Sequence, residues 1–174
     1  TGLGQGVRVG GGVALAVTDD PVGARGTVLK LRFPAYAPGR PPWPSFQAWT
    51  MNGVPPTQDW SVYDRLELQL FNQGDEPTPL RIMIRDGRDQ RVQLPVPLSS
   101  NGWTTWSVPL ADTGLDVTDV RQLDLYMSRP AREHVLVLDG VALVATPRER
   151  ARAVLEELQK RQQEMVDLPV SFPK

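Results

Sequence analysis

From Arg65 to Asn72 apolar and polar residues alternate, with Leu66, Leu68 and Leu70 interleaved by Glu67 and Gln69. A period of two sends the leucines to one face of a β-strand and the polar residues to the other. The chain enters this strand through Asp59-Trp60-Ser61-Val62-Tyr63-Asp64. A tryptophan placed just before a core strand is expected to plug the end of a sandwich. Asn72-Gln73-Gly74-Asp75 supplies turn chemistry on the way out. Leu80 to Asp86 then repeats the alternation, and Asp86-Gly87-Arg88-Asp89 reads as a hairpin turn.

The same pattern recurs on both sides. Strands are expected at Val13 to Thr18, Thr27 to Phe33, Ser45 to Thr50, Arg91 to Val96, Trp103 to Leu110, Val120 to Met127 and His134 to Val144. In the third of these Gln47 and Trp49 are expected on one face, Phe46 and Ala48 on the other. Turns are expected at Asn52-Gly53 with Pro55-Pro56, and at Asn101-Gly102. Trp103 and Trp106 stand three apart in one strand, so they point to opposite faces and one of them belongs to the core. About nine short strands with no helix between them predict an all-β, two-sheet antiparallel sandwich over residues 13–145.

Both ends depart from this pattern. Residues 1–12 carry repeated glycines but no Gly-Lys-Ser/Thr ending and no preceding strand, so they read as a flexible leader and not as a phosphate loop. Thr146-Pro147-Arg148-Glu149 has capping chemistry, and Ala151, Val154, Leu155, Leu158, Gln162 and Met165 follow at helical spacing. An amphipathic helix is expected over 146–167, then an extended tail over 168–174. Its narrow apolar stripe suits docking on the sandwich, a neighbouring domain or a partner helix.

Composition narrows the classes. The net charge of −1 gives no field for nucleic acid. The absence of cysteine removes disulfides, thiolate zinc sites and cysteine nucleophiles. No apolar run reaches the roughly 20 residues of a membrane span. No signal segment is visible at Thr1, and the chain reads as a mature or trimmed product. Catalysis finds little support. The acidic residues sit in turns, His134 is the single histidine, and no Gly-x-Ser-x-Gly elbow occurs.

The order of these runs, from Asp59-Trp60-Ser61-Val62-Tyr63-Asp64 through Gly102-Trp103-Thr104-Thr105-Trp106 to Leu136-Val137-Leu138-Asp139-Gly140, resembles the carbohydrate-binding-module-like, galactose-binding-like jelly rolls of bacterial glycan-active proteins. The resemblance covers 59–144, fits 13–50 more loosely and omits the helix. It implies a noncatalytic carbohydrate-binding module, an accessory domain of an extracellular or periplasmic protein. It also implies a structural calcium, with Asp139 as an acidic ligand and Asp19 and Asp20 as further candidates. A sugar needs an aromatic for its apolar ring face and planar polar groups for its hydroxyls. Trp49, Gln69, Arg81, Arg85, Asp124 and Tyr126 are the candidates on an outer sheet face. Tyr36 and Trp43, in the proline-rich loop 34–44, form a second candidate group. The alternative is a structural or assembly domain that holds a protein partner through its sheet face or helix.

Overall fold

The computed structural model describes residues 8–49 and 58–146, together with 152, 154–160 and 163. Ten strands run in chain order: β1 (Arg8–Gly10), β2 (Ala14–Asp19), β3 (Thr27–Phe33), β4 (Ser45–Trp49), β5 (Arg65–Asn72), β6 (Leu80–Asp86), β7 (Arg91–Pro95), β8 (Gly102–Pro109), β9 (Val120–Met127) and β10 (His134–Val144). They form two sheets of five. The front sheet has the order β1-β4-β9-β6-β7 and the back sheet β2-β3-β10-β5-β8. Every pairing between strands is antiparallel. The all-β jelly-roll sandwich expected from the alternation is the fold observed.

The inward residues are those that the period of two selects. Leu66, Leu68, Leu70, Leu136 and Leu31 from the back sheet meet Ile82, Ile84, Leu123, Leu125 and Phe46 from the front, and all are buried. Trp60 is buried at one end of this layer, and its backbone N–H donates to the Val117 carbonyl at 2.7 Å. Trp106 packs against the same core from β8, while Trp103 stands on the opposite face of that strand.

Two glycine positions bear on how the elements join. The expected leader is in part a strand, because β1 pairs with β4 along the front sheet's edge. Gly11 follows it with φ +64°, and a Cβ there would lie 2.6 Å from Pro44 Cα. The glycine thus permits both the left-handed turn and the close approach of the proline loop. Gly87, in the β6–β7 hairpin, donates its N–H to the Asp119 carbonyl at 2.8 Å, and a Cβ there would collide with the Asp119 carboxylate.

At the C terminus the described residues 152, 154–160 and 163 are helical. Val154, Leu155 and Leu158 are more than half exposed, so this part of the stripe is not docked on the sandwich. The expected turn at Asn52-Gly53 and Pro55-Pro56, the helix start at Pro147, Ala151, Gln162, Met165 and the tail 168–174 lie outside the described residues.

Asp86 is a buried staple at the end of β6. Its Oδ1 accepts the N–H groups of Arg88 and Gln90, both at 2.9 Å, and its Oδ2 accepts the N–H of Asp116 at 3.0 Å. The Asp116 amide foremost holds its pKa below the ordinary carboxylate value, against the opposing effect of burial.

Two outcomes follow from this packing. Leu70→Ala, at a fully buried position, is expected to lower unfolding free energy by about 2–5 kcal/mol, read as an earlier urea midpoint. The stabilisation from Asp86 is present above the ordinary carboxylate pKa of about 3.9 and is lost as pH falls through the lower folded value. Asp86→Asn is therefore expected to weaken the protein at neutral pH and to flatten the acid limb of its stability curve, as measured by thermal melts from acid to neutral pH.

Candidate functional site

The two outer faces differ. On the back sheet, outward Val28, Phe71 and Val137 form a small second core with Trp103, whose ring meets Phe71 edge-on at 5.6 Å. The loop 20–26 lies against this face. Asp20 closes the loop on itself, accepting the N–H groups of Val22, Ala24 and Arg25, and it also accepts the Trp103 indole N–H at 3.2 Å. Burial works to raise its pKa, but those four donors outweigh it and the net shift is downward. Arg25 stacks 4.2 Å from the Trp103 ring centroid, pairs with Asp139 at 2.7 Å and donates to Gln69. This face is sealed by side chains that already satisfy one another.

The front sheet's outer face is open. Register builds it row by row. Ser45 stands opposite Tyr126, Tyr126 opposite Arg81, and Arg81 opposite Pro95. In the next row Gln47, Asp124, Met83 and Gln93 are neighbours, and beyond it Gln122, Arg85 and Arg91. A groove of about 620 Å³ runs over these rows, lined by Trp43, Arg81, Met83, Gln93, Asp124 and Tyr126 among others.

The proline-rich loop 34–44 is what brings Trp43 to the rim. Arg129 donates its N–H to the Pro42 carbonyl at 2.7 Å, Met127 donates to Pro44 at 3.1 Å, and Tyr36 donates to Pro130 at 2.8 Å. Three backbone bonds thus tie the loop to the end of β9 and the turn after it. Trp43 itself is 61% exposed. A bulky apolar ring left in water beside a groove is the kind of surface that binds ligands.

Asp124 lies at the groove's base. It is buried, its Oδ2 accepts from Gln122 at 2.7 Å and Gln47 at 3.5 Å, and its Oδ1 has no hydrogen-bond partner. Burial pushes its pKa up to about 6, against the opposing pull of the two glutamines and of the Arg85 charge. Two guanidiniums share one carboxylate nearby: Asp89 receives Arg85 at 3.1 Å and Arg91 at 3.0 Å.

The expected residues divide as follows. Arg81, Arg85, Asp124 and Tyr126 share the front face, and Trp43 joins them at the rim. Gln69 does not, because β5 belongs to the back sheet, where Gln69 accepts from Arg25. Alternation alone fixes the face within a strand but not which sheet the strand joins. Tyr36 is not in the groove, and its ring packs 5.7 Å from the Arg129 guanidinium. A bulge after Gln47 pairs Trp49 with Leu123, an inward position, and so breaks the alternation from which its outward placement was expected; its side chain lies outside the described residues. Arg91 and Gln93 went unrecognised as site residues. The tight hairpin at Gly87 carried the signal, since it dictates that they pair with Arg85 and Met83.

Two of the three acidic residues expected for calcium are engaged elsewhere, and the third, Asp19, stands exposed at the end of β2. Both carboxylate oxygens of Asp20 are taken by N–H donors and Asp139 is paired with Arg25. Among the described residues no three His, Asp or Glu side chains gather in a metal-binding group. The turn carboxylates are similarly engaged: Asp86 by backbone amides, Asp116 by Thr118 and Arg88, and Asp119 by Arg121.

Architecture and site together define a jelly-roll sandwich with one sealed face and one grooved face. Neither a family model nor a curated protein matches the chain. Solved structures do. An exo-beta-agarase aligns with 84% of this chain at 11% identity and TM-score 0.69, and the chain spans 24% of that protein's length. The family 11 carbohydrate-binding module of Clostridium thermocellum, in complex with a β-1,3-1,4-mixed-linked tetrasaccharide, aligns over 84% of this chain and 91% of its own at 14% identity and TM-score 0.61. A family 30 carbohydrate-binding module aligns over 82% of this chain and 81% of its own at 22% identity and TM-score 0.56. At such identities the likeness is one of fold: this chain has the sandwich that carbohydrate-binding modules have.

The raised pKa of Asp124 makes a prediction opposite in sign to that for Asp86. Between the ordinary carboxylate value and about 6 the folded state binds more protons than the unfolded one, so stability falls as pH rises through that window and stays lower above it. Asp124→Asn is expected to be the more stable protein at pH 8 by about 1–2 kcal/mol, the gain vanishing near pH 4. Parallel urea titrations at the two pH values check this.

Proposed function

We propose that this chain is a noncatalytic carbohydrate-binding module and that the front-sheet groove is its binding surface. The observation that supports this best is the exposed Trp43 ring beside Tyr126, above a floor of polar side chains held in register by a rigid sheet. An aromatic ring accepts the apolar face of a sugar. Guanidinium, amide and carboxyl groups at fixed spacing receive its hydroxyls. The fold neighbours include modules and a glycan-active enzyme of which this chain matches only a part, which favours an accessory domain of a larger extracellular or periplasmic protein. Among the described residues no helix is long and apolar enough to cross a membrane.

A second reading, an assembly domain for a protein partner, is favoured by the exposed Val154, Leu155 and Leu158 on the helix. It predicts a concentration-dependent oligomer, or capture of a neighbouring domain, that Leu158→Asp abolishes in sedimentation.

Calorimetry against a panel of neutral and acidic polysaccharides is the direct test. Binding is expected to some panel member, and Trp43→Ala or Tyr126→Ala is expected to weaken it about tenfold or more, since losing one stacking aromatic removes on the order of 1–2 kcal/mol. Binding to no panel member, or binding indifferent to both substitutions, would overturn the assignment to this groove.

A further inference from the structure

The groove does not end at Arg81. Arg81 and Ser128 also line a second cavity of about 670 Å³ walled by Pro77, Pro79, Pro95 and Pro97. Ser128, Pro77 and Pro79 are shared in turn with a third cavity of about 610 Å³ that includes Arg129 and Arg132. Three adjoining depressions thus make one track from Trp43, across the front sheet, to the turn after β9. Such a track suits a linear polymer and is longer than a single sugar needs.

Positive groups outnumber negative ones along it: Arg132 is neutralised by Glu76, which lines the same cavity, and the remaining guanidiniums are in excess. The guanidinium of Arg81 makes a single long contact, to the Gln93 carbonyl at 3.4 Å, and has no carboxylate partner among the described residues. Arg91 and Arg85 divide one Asp89 between them, which leaves a surplus positive charge. Arg129, fixed at φ 44° by its bond to Pro42, lies against the Tyr36 ring with no ion pair among the described residues. Against these cations the groove offers one carboxylate, Asp124, which a pKa of about 6 leaves mostly ionised at neutral pH, and Arg81, Arg91 and Arg129 outnumber it. The chain as a whole carries −1, so the excess is local to the track.

A neutral glycan offers only hydroxyls, which any of the polar side chains can meet, whereas the track also presents guanidiniums without a full carboxylate partner. A guanidinium with spare N–H groups matches a sulfate or carboxylate in shape and charge. We propose, resting on the carbohydrate reading above, that the track takes a linear acidic glycan bearing sulfate half-esters or uronate carboxylates, with Arg81 as the contact for the anionic group. Trp43 and Tyr126 then hold the sugar ring, and Arg91 and Arg129 attract the charges before and after it.

Matched probes separate charge from sugar. A sulfated galactan is compared with its desulfated form, and polygalacturonate with its methyl ester, at low and at moderate salt. The acidic member of at least one pair is expected to bind about tenfold tighter or more, with a preference that shrinks as salt rises. The pair that shows the preference tells sulfate from carboxylate. In Arg81→Gln, with its fold checked by circular dichroism, the ratio is expected to collapse towards one. Arg32→Gln, which removes a guanidinium from the back sheet, is expected to leave it standing. Equal affinity within both pairs overturns the proposal while leaving the carbohydrate reading intact. An equal loss in Arg32→Gln and Arg81→Gln overturns it too, because overall charge is then responsible. Failure of every probe, acidic and neutral, overturns the carbohydrate reading itself.

Discussion

The contact on which everything else rests is the inter-sheet layer of Leu66, Leu68, Leu70, Ile82, Ile84, Leu123 and Leu125. Each is fully buried, and each is fixed in place by its neighbours across two strands. A one-residue slip in β5, β6 or β9 would move these side chains to water and the polar set to the core, which is why register here is strict. Outward residues inherit that strictness. Arg81, Met83 and Arg85 stand where they do because Leu80, Ile82, Ile84 and Asp86 are buried.

The two outer faces meet different fates for local reasons. On the back sheet the apolar Val28, Phe71 and Val137 face outward and need cover. Trp103, Arg25 and the Asp20 loop supply it through a mesh of mutually satisfied hydrogen bonds, an ion pair and a cation–π contact. On the front sheet the outward residues are, apart from Met83, mostly polar, charged or amphipathic and need no such cover. The proline-rich loop is tied to the rim and leaves the face open, so that face retains a tryptophan in water, a buried carboxyl with an unpartnered oxygen and guanidiniums in excess of their partners. Such unsatisfied chemistry is what a binding surface looks like before its ligand arrives.

Alternation in the chain was enough to place most strands within a residue or two, and the core within them, because most strands carry a largely polar outer face. The fold class followed from many short strands without helices. What the chain alone left hidden was long-range. The assignment of β5 to the back sheet removed Gln69 from the face it was expected to share. The bulge in β4 set Trp49 opposite Leu123, and the strand at Arg8–Gly10 was masked by its glycines. Loop closure by Asp20 joins positions 83 residues apart at Trp103, a pairing that no local pattern announces. Arg91 and Gln93 were within reach, since a tight hairpin dictates its own partners.

The central claim is that ligand meets the front face and not the back. Backbone amide shifts of the labelled protein, titrated with acidic and neutral oligosaccharides, test it most directly. The account predicts changes clustered at residues 43–47, 81–93 and 122–129, with residues 20–25, 69, 103 and 139 quiet. Changes centred on the Arg25–Trp103 cluster, with the Trp43 groove silent, would contradict it.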